Sequence, residues 1–129
     1  GYPKERNKLL KILSKAQSSI VLTGDTHNSW ISNLFSDNKN FIGVEIAAPS
    51  ISSPNSVDLF KSITNDIDQG FIKQNENLKW ANGSGKGFVK LAIDSNQIEA
   101  KFMYVSDIKS KQYQLTDTNR FIIKHNQPI

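Results

Sequence analysis

The sequence of 129 residues contains no cysteine. That removes disulfides, zinc ribbons, thiol catalysis and iron–sulfur clusters from this stretch and leaves the redox compartment open. No apolar run reaches the roughly 18 residues that a membrane-spanning helix needs. Gly1-Tyr2-Pro3-Lys4 carry no hydrophobic leader core, so they do not read as a signal peptide, nor are they expected to be a natural start. The net charge is +4, but the lysines are scattered along the chain and build no basic block. No nucleic-acid recognition is therefore expected. Internal repeats and low-complexity tracts are also missing.

What remains is an ordinary globular composition, with 37% hydrophobic and 22% charged residues, enough for the core of a single domain spanning 1–129 or for one piece of a larger domain. Pro3 suits the first turn of a helix, and Leu9, Leu10, Leu13 and Ala16 recur at helical spacing, predicting a helix over about 3–16. Ile20-Val21-Leu22 reads as a short buried strand. Ser29 to Phe35 fits a short helix with Trp30 and Leu34 on one face. Residues 37–40 form a loop, and Ile42, Val44 and Ile46 alternate with Gly43, Glu45 and Ala47 as a second strand. A serine- and proline-rich stretch follows that is not regular structure. Asn55 and Asp58 resemble a capping box for a helix carrying Phe60, Ile63 and Ile67 and stopped by Gly70. Then the period changes. Val89, Leu91 and Ile93, a polar turn at 94–97, and Ile98, Ala100, Phe102 and Tyr104 form a β-hairpin. Arg120 to Lys124 supplies a third strand. The expected fold is α/β (α+β): alternating helix and strand over the first seventy residues, then an antiparallel sheet.

The chemistry concentrates at Gly24-Asp25-Thr26-His27, just after the first strand. Residues i and i+2 of a strand share a face, so Asp25 and His27 are expected to reach one point past the strand end, with Gly24 allowing a sharp turn. That rim is where α/β sheets hold ligands, and a carboxylate with an imidazole suits a metal cation. The alternative is that Asp25 caps a helix starting near residue 28 and His27 lies on the surface. The run Asn82 to Gly87 contains glycine and lysine, but it lacks phosphate-loop spacing and precedes a strand, so it reads as a turn. His125 has no acidic or histidine neighbour at ligand spacing and reads as surface. Trp30 and Trp80 read as packing anchors.

Tyr2 to Leu10, Val21 to Trp30, Gly43 to Pro54, Asn75 to Trp80 and Gly85 to Asp94 together, in this order, resemble the C-terminal part of the alkaline phosphatase D (PhoD-like) family of calcineurin-like metallophosphoesterases. The resemblance runs to about Val105. It implies a metal-dependent phosphatase or phosphodiesterase acting on phosphate esters, periplasmic or secreted, using calcium and iron, with zinc or manganese as alternatives. It implies that Asp25 and His27 are metal ligands. Glu45 then orients a ligand, or else is an exposed strand-edge charge. Ser50, in a serine-rich loop through Ser53, contacts substrate or merely makes the turn. Where relatives carry Asn-Pro-His, this chain has Asn75-Glu76-Asn77, which leaves Asn77 as an amide in place of an imidazole at a substrate position.

One aspartate–histidine pair is too few for a binuclear centre. The resemblance then implies the C-terminal half of a sandwich whose remaining ligands lie upstream. The isolated chain is then inactive, with an exposed apolar face and a tendency to self-associate. A rival expectation is a non-enzymatic interaction domain; another is a degenerate relative that binds phosphate without turnover.

Overall fold

The computed structural model describes residues 2–59 and 66–129. In chain order it contains α1 (Pro3–Leu13), β1 (Ser19–Thr23), β2 (Ser29–Phe35), β3 (Phe41–Ala47), α2 (Ser56–Leu59), α3 (Asp66–Gln74), β4 (Leu78–Asn82), β5 (Gly87–Ile93), β6 (Gln97–Val105) and β7 (Leu115–Lys124). The strands form two sheets. One has the order β1-β3-β2-β4, with β1 parallel to β3 and the other pairs antiparallel; the second is the antiparallel meander β5-β6-β7.

The sheets pack face to face. Ile31, Val44 and Ile46 of the first meet Ala100, Phe102, Tyr104 and Ile123 of the second, all buried. Trp80 of β4 is the aromatic wedge between them, with ring centroids 4.6 Å from Phe102 and 5.2 Å from Phe121. On the other face of the first sheet, α1 seats Leu10 and Leu13 against Leu34, Ile42 and Val21. Ile42 reaches this face because Leu34 pairs with Gly43 and Phe35 with Phe41, so Ile42 is bulged out of the strand alternation. Gly43 has a steric reason to be glycine: a Cβ there would collide with the Ser19 carbonyl of β1.

The expected hairpin and third strand are present, with the sheet starting at Gly87 and β7 beginning earlier, at Leu115. The first strand, the second strand and the loop at 37–40 also stand where expected. The capping box is formed: Asn55 N–H donates to Asp58 Oδ2 and Asp58 N–H to Asn55 Oδ1, both at 3.1 Å. Three expectations are corrected. Ser29 to Phe35 is a strand, the inner one between β3 and β4. Its spacing of apolar residues mimics a helix because both of its faces are covered, with Ile31 facing the second sheet and Leu34 the helix side. Gly70 lies inside α3, with open space around it, and does not end the helix. The stripe of α1 is narrower than its sequence suggests, since Leu9 is exposed and the helix ends at Leu13. Phe60 and Ile63 fall outside the described residues. Strand β4 was not expected from the sequence. No helix among the described residues is long and apolar enough to cross a membrane.

Candidate metal-binding loop

The register gathers three chain crossings at one end of the molecule. Thr23 and Ala47, the last residues of parallel β1 and β3, pair with each other, and Ser29 at the start of β2 pairs with Asn82 at the end of β4. The connections 24–28, 48–55 and 83–86 therefore converge past the C-terminal ends of the parallel pair. Gly87 N–H, opening β5, donates to Ser50 O at 3.0 Å and ties the second sheet to the same end.

The motif itself is a turn. His27 N–H donates to Gly24 O at 3.1 Å, so Asp25 and Thr26 occupy the corners and strand alternation does not place Asp25 and His27. Nor does Gly24 supply an unusual backbone angle; the left-handed residue is His27, with φ 59°. For a residue with a Cβ, that conformation costs about 1–2 kcal/mol. It turns the imidazole back under the loop 48–55, where Nδ1 lies 2.8 Å from Pro54 O. A carbonyl only accepts, so Nδ1 carries a proton, and in the neutral ring Nε2 then holds the lone pair. Asp25 is exposed at the tip of the turn, His27 half-buried behind it. No helix starts near residue 28, so Asp25 caps none there.

Around this loop lies a network of buried amides that local sequence patterns do not announce. Asn28 donates from Nδ2 to Ser56 Oγ at 2.8 Å and accepts from Ser56 N–H at 3.2 Å. Asn55 donates from Nδ2 to Ser84 O at 3.1 Å. Lys86 Nζ donates to Ser53 O at 2.6 Å and pairs with Asp58. Ser50 Oγ donates to Ser53 O at 2.6 Å, which accounts for that hydroxyl as a turn element of its own loop. Asp68 accepts from Gly83 N–H at 2.9 Å; burial pushes its carboxyl above the usual range, while that hydrogen bond pulls the other way. Of these residues the Asn55–Asp58 pair and the Ser50 turn had a sequence signal. Asn28, Lys86 and Asp68 meet partners far away in the chain, which spacing does not reveal.

Glu45 is not an edge charge. It sits on the inner strand β3, opposite Val21 and Ser32, and accepts from Thr23 Oγ1 at 2.8 Å. Its side of the sheet holds a cavity of about 350 Å³ lined also by Trp30, Ser32, Phe71 and Asn75. Asn77 lies at the opposite end of the sheet: its carbonyl accepts from Asn33 N–H at 2.8 Å, four residues along β2 from Ser29. The structure thus brings Asp25, His27 and the Ser50 loop together, sets Glu45 behind them on the neighbouring strand, and leaves Asn77 apart. The tryptophans pack as expected, Trp30 against Phe71 at 5.8 Å and Trp80 in the core, and His125 is exposed.

The donors fit a metal cation: an imidazole nitrogen with its other nitrogen tied to a carbonyl, and a carboxylate on the same short turn. Among the described residues, no group of three or more His, Asp or Glu stands together to hold an ion alone.

The profile of the family described as PhoD-like phosphatase matches residues 1–102. Alkaline phosphatase D of Bacillus subtilis (strain 168) is 24% identical over 133 residues, covering 98% of this chain and 22% of that protein. A solved structure of PhoD superposes with a TM-score of 0.77 at 22% identity, covering 97% of this chain and 24% of that one. The mixed α/β sandwich with its antiparallel sheet is thus the fold of the matched part of that structure. The chain spans about a quarter of the length of these relatives.

Proposed function

The chain belongs to the PhoD-like phosphatase family, and from that membership we propose that it supplies part of the metal site of a phosphoric-ester hydrolase, with Asp25 and His27 as ligands. The observation that carries this reading is the hydrogen bond from His27 Nδ1 to Pro54 O, which in the neutral ring leaves the Nε2 lone pair for a cation, at the end of a parallel strand pair. Calcium and iron are the metals the family suggests, with zinc or manganese as alternatives. A bound cation would polarise a phosphoryl oxygen and lower the pKa of coordinated water, to about 7 where the cation is zinc.

This chain's own contribution is positional. His27 is held by the turn at 24–27 and by Pro54, so its nitrogen keeps one direction. Asp25 places a negative charge beside it. Glu45 and Thr23 fill the space behind the turn with a closed hydrogen bond. Ser50, engaged with Ser53, shapes the wall of the loop. Asn77 stands outside this site.

The remaining ligands come, in this proposal, from other parts of the same protein, so the 129-residue chain is one fragment of a domain and has no turnover alone. Apolar side chains left in the open, among them Leu22, Ile51, Leu59 and Ile93, would be covered by those parts, or by self-association when they are missing. An exported, periplasmic or secreted location goes with the same family reading.

The test is hydrolysis of a chromogenic phosphomonoester and phosphodiester by the full gene product, with and without chelator, for wild type, Asp25→Ala and His27→Ala. The expected result is chelator-sensitive turnover that drops at least about 100-fold in His27→Ala. Turnover indifferent to chelator and to both substitutions would reduce the motif to a turn.

A further inference from the structure

The peptide unit between Pro54 and Asn55 does two things at once. Its C=O accepts the His27 Nδ1 proton, and its N–H donates to Asp58 Oδ2 at 3.1 Å. Because a peptide is planar, holding the N–H fixes the direction of the C=O. The preceding carbonyl, that of Ser53, accepts from Lys86 Nζ at 2.6 Å, and the same ammonium is paired with the same Asp58 carboxylate. Pro54 is therefore bracketed on both sides by one ion pair. Lys86 reaches it from the start of the second sheet, where Val105 N–H donates to Lys86 O at 2.8 Å. The Lys86 side chain is only 13% exposed, so its charge is largely withdrawn from water and depends on these partners.

We propose that the Lys86–Asp58 ion pair is a positioning device for His27: it clamps the peptide units flanking Pro54, and so selects the His27 tautomer and ring direction that leave Nε2 available to a cation. The inference rests on the proposed metal role of His27 and adds residues that touch neither metal nor substrate. A bond through two oppositely charged groups fits this task better than a neutral one, because charge-assisted hydrogen bonds are shorter and stronger. The arrangement also links the site to the second sheet, since Lys86 immediately precedes β5.

The experiment uses the full gene product, labelled with ¹⁵N-histidine, as wild type, Lys86→Met, Lys86→Arg, Asp58→Ala and His27→Ala. Two quantities are read: the imidazole ¹⁵N resonances of metal-stripped protein, and the apparent Kd for Mn²⁺ followed by electron paramagnetic resonance. With spectra taken well above the ordinary imidazole range, where the ring is neutral, wild type should show His27 protonated at Nδ1 alone. Lys86→Met should mix the two tautomers and raise the Mn²⁺ Kd about tenfold, the low end of what losing an outer-sphere partner does. Lys86→Arg should restore most of both. A folded Lys86→Met protein with one tautomer and wild-type Mn²⁺ affinity overturns the proposal, even if its thermal midpoint falls. Should Lys86→Met not fold, Asp58→Ala decides by the same two readouts, since that side chain is 49% exposed and its truncation leaves no cavity in the core. Unchanged Mn²⁺ affinity in His27→Ala would sink the metal reading instead, and the tautomer spectra would then judge the Lys86–Asp58 pair alone.

Discussion

The space between the two sheets and the loop end of the molecule are built by different physics. Between the sheets, Ile31, Val44, Ile46, Ala100, Phe102 and Ile123 are buried and offer nothing but hydrocarbon and aromatic surface. Any set of apolar side chains of similar volume and pattern would satisfy that region to first order. At the loop end, Asn28 and Asn55 are 4% and 1% exposed, and each holds a segment some thirty positions away through specific donors and acceptors. Such a region tolerates little substitution, because an amide that loses its partner leaves a polar group unsatisfied. The core sets how much free energy holds the sandwich together. The polar end sets where the backbone of three loops lies, which is what the proposed metal-ligand turn requires.

The largest way to break this comparison is at the core. Phe102→Ala empties the centre of the aromatic cluster with Trp80 and Phe121, and should destabilise the fold by about 3–5 kcal/mol in urea unfolding. A loss below about 1 kcal/mol would mean that the sheets do not rely on this contact. Next comes Asn55→Ala, which removes the acceptor for Asp58 N–H and the donor to Ser84 O. The expected cost is about 1–3 kcal/mol. Its signature should be local, with amide exchange faster in 48–59 and 83–86 but unchanged at Ile31 and Val44. Uniform acceleration across both regions would show that the polar end and the core open as one unit.

The same division explains what could be read in the sequence. The hairpin of β5 and β6 was legible because its outer face is charged, with Lys90, Lys101 and Arg120 in register, so alternation survives. Strand β2 was not legible, because it is covered on both faces and carries Trp30, Ile31, Leu34 and Phe35 at a spacing a helix also permits. Asp25 and His27 were visible as a pair through residue type, yet the geometry that relates them was not. It rests on the left-handed backbone of His27 and on Pro54, which is 27 positions away. Lys86 looked like one lysine in a glycine-rich turn. Its role depends on Asp58 and Ser53, which only the packing of β5 against the first sheet brings near.

Tyr104 stands on the boundary between the two regions and offers the finest test of it. Its ring belongs to the core and lies so close to Gly85 that a Cβ there would strike it, while its hydroxyl donates to Ser29 Oγ at 2.8 Å on the loop side. Burial pushes its pKa up to about 12, with the nearby Asp68 charge adding to the rise and the Ser29 hydrogen bond opposing it. The unfolded phenol titrates near 10. A group whose folded pKa is raised contributes stability that is complete below the unfolded value and is lost as pH climbs through the folded one, here between about 10 and about 12. Tyr104→Phe should cost about 1 kcal/mol at neutral pH for the lost hydrogen bond, and its stability should fall less steeply than wild type across that alkaline window. Equal slopes in the two proteins would place the Tyr104 hydroxyl in water, and the boundary between core and polar end would have to be drawn one strand further in.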